Sequence, residues 1–145
     1  MKKLMIILAV IIGALTANAR DNYSHNAADL PMSAQTILKN NFKAKVNHIK
    51  IEKDFGKIKE YDVILTDGTE VTFDSHGNWK DIEVKMKSAV PSALIPQEIL
   101  SYVKLNQKNT KIIGIEKKRG GYEVELSNGV EMKFNSEGKF LRYDD

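Results

Sequence analysis

The 145-residue chain reads as an α+β protein: two tandem helix-plus-four-strand repeats forming one antiparallel sheet of about eight strands, with two helices on one face. Two observations predict this. The stretch YDVILTDGTEVTFDSHGNWKDI from Tyr61 returns as YEVELSNGVEMKFNSEGKFLRY from Tyr122 with eight identities in 22 positions, which marks an internal repeat. Within each copy, apolar and polar residues alternate with a period of two, and Asp-Gly or Asn-Gly separates the alternating runs.

The chain opens on MKKLMIILAVIIGALTANAR, with two lysines, an apolar run from Leu4 to Leu15, and Ala17-Asn18-Ala19. That is the layout of a secretory signal peptide cut before Arg20. The run is shorter than the roughly 20 residues that span a bilayer, so residues 1–19 are expected to be removed, leaving no membrane span. No Cys follows to carry a lipid anchor. Residues 20–29 are polar and read as a flexible lead-in. Residues 30–145 form a single duplicated domain, with repeat one at 30–88 and repeat two at 89–145.

Each repeat begins with a helix. Leu30-Pro31-Met32-Ser33 opens the first, with Ile37, Leu38 and Phe42 at helical spacing; the segment from Pro91 to Pro96 opens the second, with Ile99, Leu100 and Val103. VNHIKIEKDF and NTKIIGIEKK follow as strands, and Asp54-Phe55-Gly56 and Gly120-Gly121 turn each into the next. Tyr61, Val63 and Leu65 then alternate with polar or outward residues, as Tyr122, Val124 and Leu126 do. Asp67-Gly68 and Asn128-Gly129 predict two-residue hairpin turns with positive φ at both positions. Val71 and Phe73, with Met132 and Phe134, form the next strands. At DSHGN and NSEGK, Gly77 and Gly138 are free to turn left-handed while Asp74 and Asn135 bond the turn backbone. WKDIEVKM and KFLRYDD close the two halves.

These features resemble the exported PepSY-like proteins of Bacteroidetes that share a fold with the β-lactamase inhibitor protein. The resemblance rests on the signal peptide, the doubled helix-plus-meander, and DSHGNW with NSEGKF, which match an Asp-x-x-Gly-x-aromatic turn. It implies a periplasmic or secreted protein without catalysis, whose open sheet face meets a protein partner.

Composition narrows the chemistry. Losing Lys2 and Lys3 with the leader brings the formal charge from +3 to +1, and no block of like charge remains to form a basic stripe, which argues against nucleic acid. Cys is absent, so disulfides, thiol nucleophiles and thiolate metal sites are excluded. His25, His48 and His76 fall at no metal-binding spacing, and DSHGN lacks the alternating ligands of a calcium loop, so neither metal nor cofactor is expected. Nucleotide-binding and nucleophile-elbow motifs do not occur. The expected protein is not an enzyme.

Binding residues can still be named. Trp79, the single tryptophan, matches Phe140 in the second repeat; counted by parity against Ile82 and Val84, Trp79 projects away from the helices, with Ile64 on the same face. Trp79, Phe140 and Ile64 are therefore the candidate contacts for a protein or peptide of the cell envelope. The other reading is that a bulge at Gly77 turns Trp79 into the core. An alternative function is a small-ligand or envelope-sensing module with a cleft between sheet and helices. A pocket lined by Tyr61 and Tyr122 would favour that function, and a flat apolar patch at Trp79 the partner.

Overall fold

The computed structural model describes residues 22–144; the expected signal peptide lies outside the described residues. In chain order the elements are β1 (Asn22–Ser24), α1 (Met32–Asn41), β2 (Val46–Asp54), β3 (Lys57–Leu65), β4 (Glu70–Asp74), β5 (Trp79–Glu83), α2 (Gln97–Asn106), β6 (Ile112–Lys118), β7 (Gly121–Leu126), β8 (Glu131–Asn135) and β9 (Phe140–Asp144). The strands form one antiparallel sheet in sequence order, each paired with the next.

The ninth strand is β1, in the stretch expected to be a flexible lead-in. Asn22, Tyr23 and Ser24 pair with Ile51, Lys50 and Ile49, and the His25 ring bonds the Asn47 carbonyl at 2.9 Å. Its three residues carry no periodicity; the free backbone edge of β2 supplies the order instead.

Why the sheet buries one face is visible in its register. Ile49, Val63, Val71, Ile82, Ile115, Val124 and Met132 stand side by side from β2 to β8, each at most 1% exposed. Ala34 and Leu38 of α1 and Ile99 and Val103 of α2 join the same buried cluster, so both helices cover this face. Full burial of such aliphatic side chains stabilises by about 1.5–3 kcal/mol each.

One turn is used four times. Gly68 N–H bonds the Leu65 carbonyl, and Leu65 N–H bonds the Thr69 carbonyl; the same pair of bonds recurs around Gly77, Gly129 and Gly138. All four glycines have φ between 83 and 85°, whereas Asp67 and Asn128 do not have the positive φ expected of a two-residue turn. The reason is side-chain bonding. Asp67 Oδ1 accepts from Thr69 N–H at 2.9 Å and Asn128 Oδ1 from Val130 N–H at 3.1 Å, favouring a type I turn followed by a left-handed Gly. Asp74 and Asn135 hold the other two turns from the first turn position, each Oδ1 accepting from two backbone N–H groups.

These turns also seat the helices. Ser33 Oγ, at the start of α1, donates to the His76 carbonyl at 2.8 Å. A Cβ on Gly77 would lie 2.8 Å from Pro31 Cβ, and one on Gly138 would lie 3.0 Å from Glu98 Cβ at the start of α2. In each half, glycine permits both the backbone angle and the close approach.

Candidate interaction surface

Trp79 sits on the helix side of the sheet, 7% exposed, which corrects its expected place on the open face. Thr72 pairs with Asp81 and Phe73 with Trp79, so Lys80 is an extra residue on β5. This bulge reverses the parity of what precedes it and turns Trp79 inward beside Phe73. The bulge lies at Lys80, three residues beyond the Gly77 considered from sequence.

Phe140 is corrected in the same way. Lys133 pairs with Arg142 and Phe134 with Phe140, leaving Leu141 as the extra residue. The Phe140 ring stacks on Tyr102 of α2 with centroids 4.6 Å apart and an interplanar angle of 14°. Ile64 alone of the three lies on the open face, between His48 of β2 and Glu70 of β4 and half-buried.

What surrounds Ile64 is charge. One transverse row of the open face runs Ile64, Glu70, Glu83, Gly114, Glu125, Glu131, Asp144 across β3 to β9. The neighbouring row runs Lys50, Asp62, Thr72, Asp81, Glu116, Glu123, Lys133, Arg142 across β2 to β9. Carboxylates thus oppose carboxylates directly at Glu70–Glu83, Asp81–Glu116, Glu116–Glu123 and Glu125–Glu131. Such pairs destabilise a sheet.

Among the described residues, several lysines reach into the field. Lys118 and Lys133 reach Glu123 at 3.2 and 3.3 Å, Lys133 also reaches Asp144 at 3.4 Å, and Lys80 reaches Glu60 at 2.8 Å. Alternation with Tyr122, Val124 and Leu126 puts Glu123 and Glu125 on the face away from the helices, but a single strand does not show which acids lie beside them. The missed signal is that Asp81 and Glu83 of β5 and Glu123 and Glu125 of β7 alternate with core residues, and that Glu70 of β4 and Glu116 of β6 share their outward parity.

At one end of the face Glu52, Glu60 and Asp62 bring three carboxylate oxygens within 4.8 Å of one another. Burial, then a hydrogen bond with Glu60 and the charge of Asp62, raises the Glu52 carboxyl above its ordinary value. Burial likewise raises Asp62, against the Thr72 hydroxyl that donates to it at 2.8 Å. Glu60 is subject to the same burial, but the hydrogen bond from Lys80, with that shared with Glu52, carries it net below. The three are oxygen donors of the kind a hard divalent cation takes.

Open grooves lie on the opposite side among the described residues. One of about 600 Å³ runs along α1 beside Met32, Leu38, Phe42 and Leu65; one of about 380 Å³ lies beside Leu100, Val103 and Ile112. Neither is lined by Tyr61 or Tyr122. Tyr61 is buried in the core instead, and Tyr122 packs half-buried against it.

The family model described as "Putative beta-lactamase-inhibitor-like, PepSY-like" matches residues 59–142. Three solved structures are similar over nearly their whole length. A "putative periplasmic protein of unknown function" from Bacteroides vulgatus is 41% identical, with a TM-score of 0.80, covering 86% of this chain and 99% of that one. A second periplasmic protein of that organism, from the DUF2874 family, is 37% identical with a TM-score of 0.78, covering 87% and 98%. A "putative calcium-regulated periplasmic protein" from Bacteroides thetaiotaomicron is 36% identical with a TM-score of 0.78, covering 86% and 97%. No curated protein matches. The relatives' compartment agrees with the periplasmic or secreted location expected from sequence, and among the described residues no helix is long and apolar enough to cross a membrane. With the helix-backed meanders, the Asp-x-x-Gly turns and these matches together, the chain belongs to the PepSY-like family.

Proposed function

We propose that the protein is a non-enzymatic binding protein of the periplasm that holds a protein or peptide partner on its open sheet face. The partner presents lysine and arginine, and the role toward an envelope protein is inhibitor-like. One observation carries this reading: carboxylates face carboxylates across adjacent strands in the middle of a sheet whose other side is already covered by helices. A face on which acidic residues stand side by side over several strands is complementary in charge to a cationic partner.

The face also suits recognition kinetically. A field of one sign attracts a complementary surface before contact and is screened by salt. Ile64 supplies an apolar point at its border. The test is affinity capture from envelope extract with the wild type and with Glu70, Glu83, Glu125 and Glu131 changed to Gln. A partner retained by the wild type in low salt and lost by the variant supports the reading; equal retention overturns it.

A second reading is favoured by the Glu52, Glu60 and Asp62 cluster and by the relative described as calcium-regulated. The three residues would supply carboxylates to Ca²⁺, which takes six to eight oxygens, provided Lys80 leaves Glu60. Calcium would then neutralise one end of the face and tune its attraction for the partner. Calcium titration followed by thermal melting tests this: a rise in Tm for the wild type that Asp62→Asn abolishes supports it, and an unchanged Tm contradicts it.

A further inference from the structure

The hairpin between β2 and β3 differs from every other connection in the sheet. Its tip is the two-residue turn Phe55-Gly56, with φ of 48° and 77°, between the paired residues Asp54 and Lys57. Glycine, asparagine or aspartate ordinarily occupies the first position of such a turn, because a side chain there is strained against its own backbone. Here a phenylalanine occupies it, fully exposed. Phe55 makes no return to the fold for that strain.

The ribbon also overhangs the sheet. Pairing with β1 ends at Ile51 and pairing with β4 ends at Glu60, so, among the described residues, 53–59 pair only with each other, all of them exposed. In the second half the hairpin is short: Lys117 pairs with Tyr122 where Ile51 pairs with Tyr61. The added length carries Lys53, Lys57 and Lys59 around Phe55 and the exposed Ile58, with Asp54 as the single acid.

We infer that this tip is a membrane-surface anchor: Phe55 enters the interfacial region of a bilayer while Lys53, Lys57 and Lys59 contact anionic headgroups. The convex shape suits a soft surface, an aromatic ring suits the headgroup level, and lysine stems lie along apolar surface with their ammonium groups in water. The acidic face does not oppose this. Glu52 stands three residues back from Phe55, roughly 10 Å along an extended strand and therefore about one screening length from the surface. The strands then stand off the membrane, leaving the open face accessible from the side. The tip acts independently of the partner proposed for that face.

The experiment is sedimentation of the purified protein with vesicles of phosphatidylethanolamine and phosphatidylglycerol, and with vesicles of phosphatidylcholine alone. Binding is expected only to the anionic vesicles, weak and salt-sensitive. Phe55→Asn keeps a residue suited to the turn and is expected to weaken partition about tenfold, the loss of one buried aromatic. Changing Lys53, Lys57 and Lys59 to Gln is expected to weaken it about fivefold per charge. A Phe55→Trp variant adds a spectroscopic readout: the emission of the introduced indole shifts to the blue on binding and is quenched by brominated lipid. Failure to bind anionic vesicles at low salt overturns the inference, as does binding unchanged in Phe55→Asn. A blue shift of the Phe55→Trp variant produced by an envelope protein fraction but not by protein-free vesicles also overturns it, assigning the tip to a protein.

Discussion

Lys117 Nζ lies 3.8 Å from the centroid of the Trp79 ring, joining β6 to the neighbouring strand β5. The Ile51, Tyr61, Phe73, Trp79 row of the first half ends at β5, and the Lys117, Tyr122, Phe134, Phe140 row of the second begins at β6. Lys117 therefore stands where the first half has Ile51, and the ammonium–aromatic contact closes the junction between them.

Trp79 should report this burial directly. Its emission is expected to be blue-shifted and poorly quenched by acrylamide. Trp79→Ala should cost about 3–5 kcal/mol in urea unfolding, as for other large-to-small core changes. A red-shifted, freely quenched spectrum would contradict the placement.

Lys117 gives a pH signature. Burial lowers its pKa, with the charge of Asp74 pulling the other way. A lysine whose folded pKa is depressed binds fewer protons in the native state, so wild-type stability should rise relative to Lys117→Met as pH climbs from the depressed value towards the ordinary one of about 10.4. Melting both proteins between neutral and alkaline pH checks the sign; a gap that stays constant contradicts it.

Asp62 predicts the opposite slope at acid pH. Its raised pKa means the native state binds more protons, so its contribution to stability falls as pH rises through the window above its unfolded value. Asp62→Asn should remove that penalty while keeping an acceptor for Thr72, raising stability at pH 7 by up to about 1 kcal/mol. Glu60 and Asp74, both held below their ordinary values, lose stability in acid and make the wild-type profile a competition. The difference between wild type and Asp62→Asn isolates the one group.

Two glycines separate backbone strain from contact. At Gly129 an added Cβ meets nothing within 4 Å, so Gly129→Ala should cost only the left-handed penalty of about 1–2 kcal/mol. At Gly77 it would also collide with Ser33 Oγ and Pro31 Cβ. Gly77→Ala should therefore cost measurably more in denaturant unfolding. Equal costs would mean the α1 contact is not a tight one.

Both helices, the α+β class and eight of the nine strands were legible in the sequence, because periodicity and Gly-containing turns recur in both halves. The single extra strand, β1, was illegible because backbone pairing with β2 orders it without any side-chain pattern. Parity counting put Trp79 on the open face, and Phe140 was named with it as its match in the second repeat; the alternative, a bulge that turns Trp79 into the core, is the arrangement the structure has. One extra residue in each last strand, Lys80 and Leu141, shifts that count by one and exchanges the faces. Ile64 lies on an unbroken strand segment, so parity gives its face correctly. The acidic field escaped notice for a different reason: each carboxylate is ordinary on its own strand, and only lateral register sets Glu70 against Glu83 and Asp81 against Glu116.

If the open face is where the partner binds, a photo-cross-linking amino acid placed at Ile64 will capture it, and one placed separately at Leu105, exposed on α2, will not. The experiment is run in cells producing the protein. A discrete adduct is expected from position 64, fading when Glu70 and Glu83 are changed to Gln, with none from position 105. Adducts from position 105 and none from position 64 would refute the open-face site and move the binding surface to the helix side.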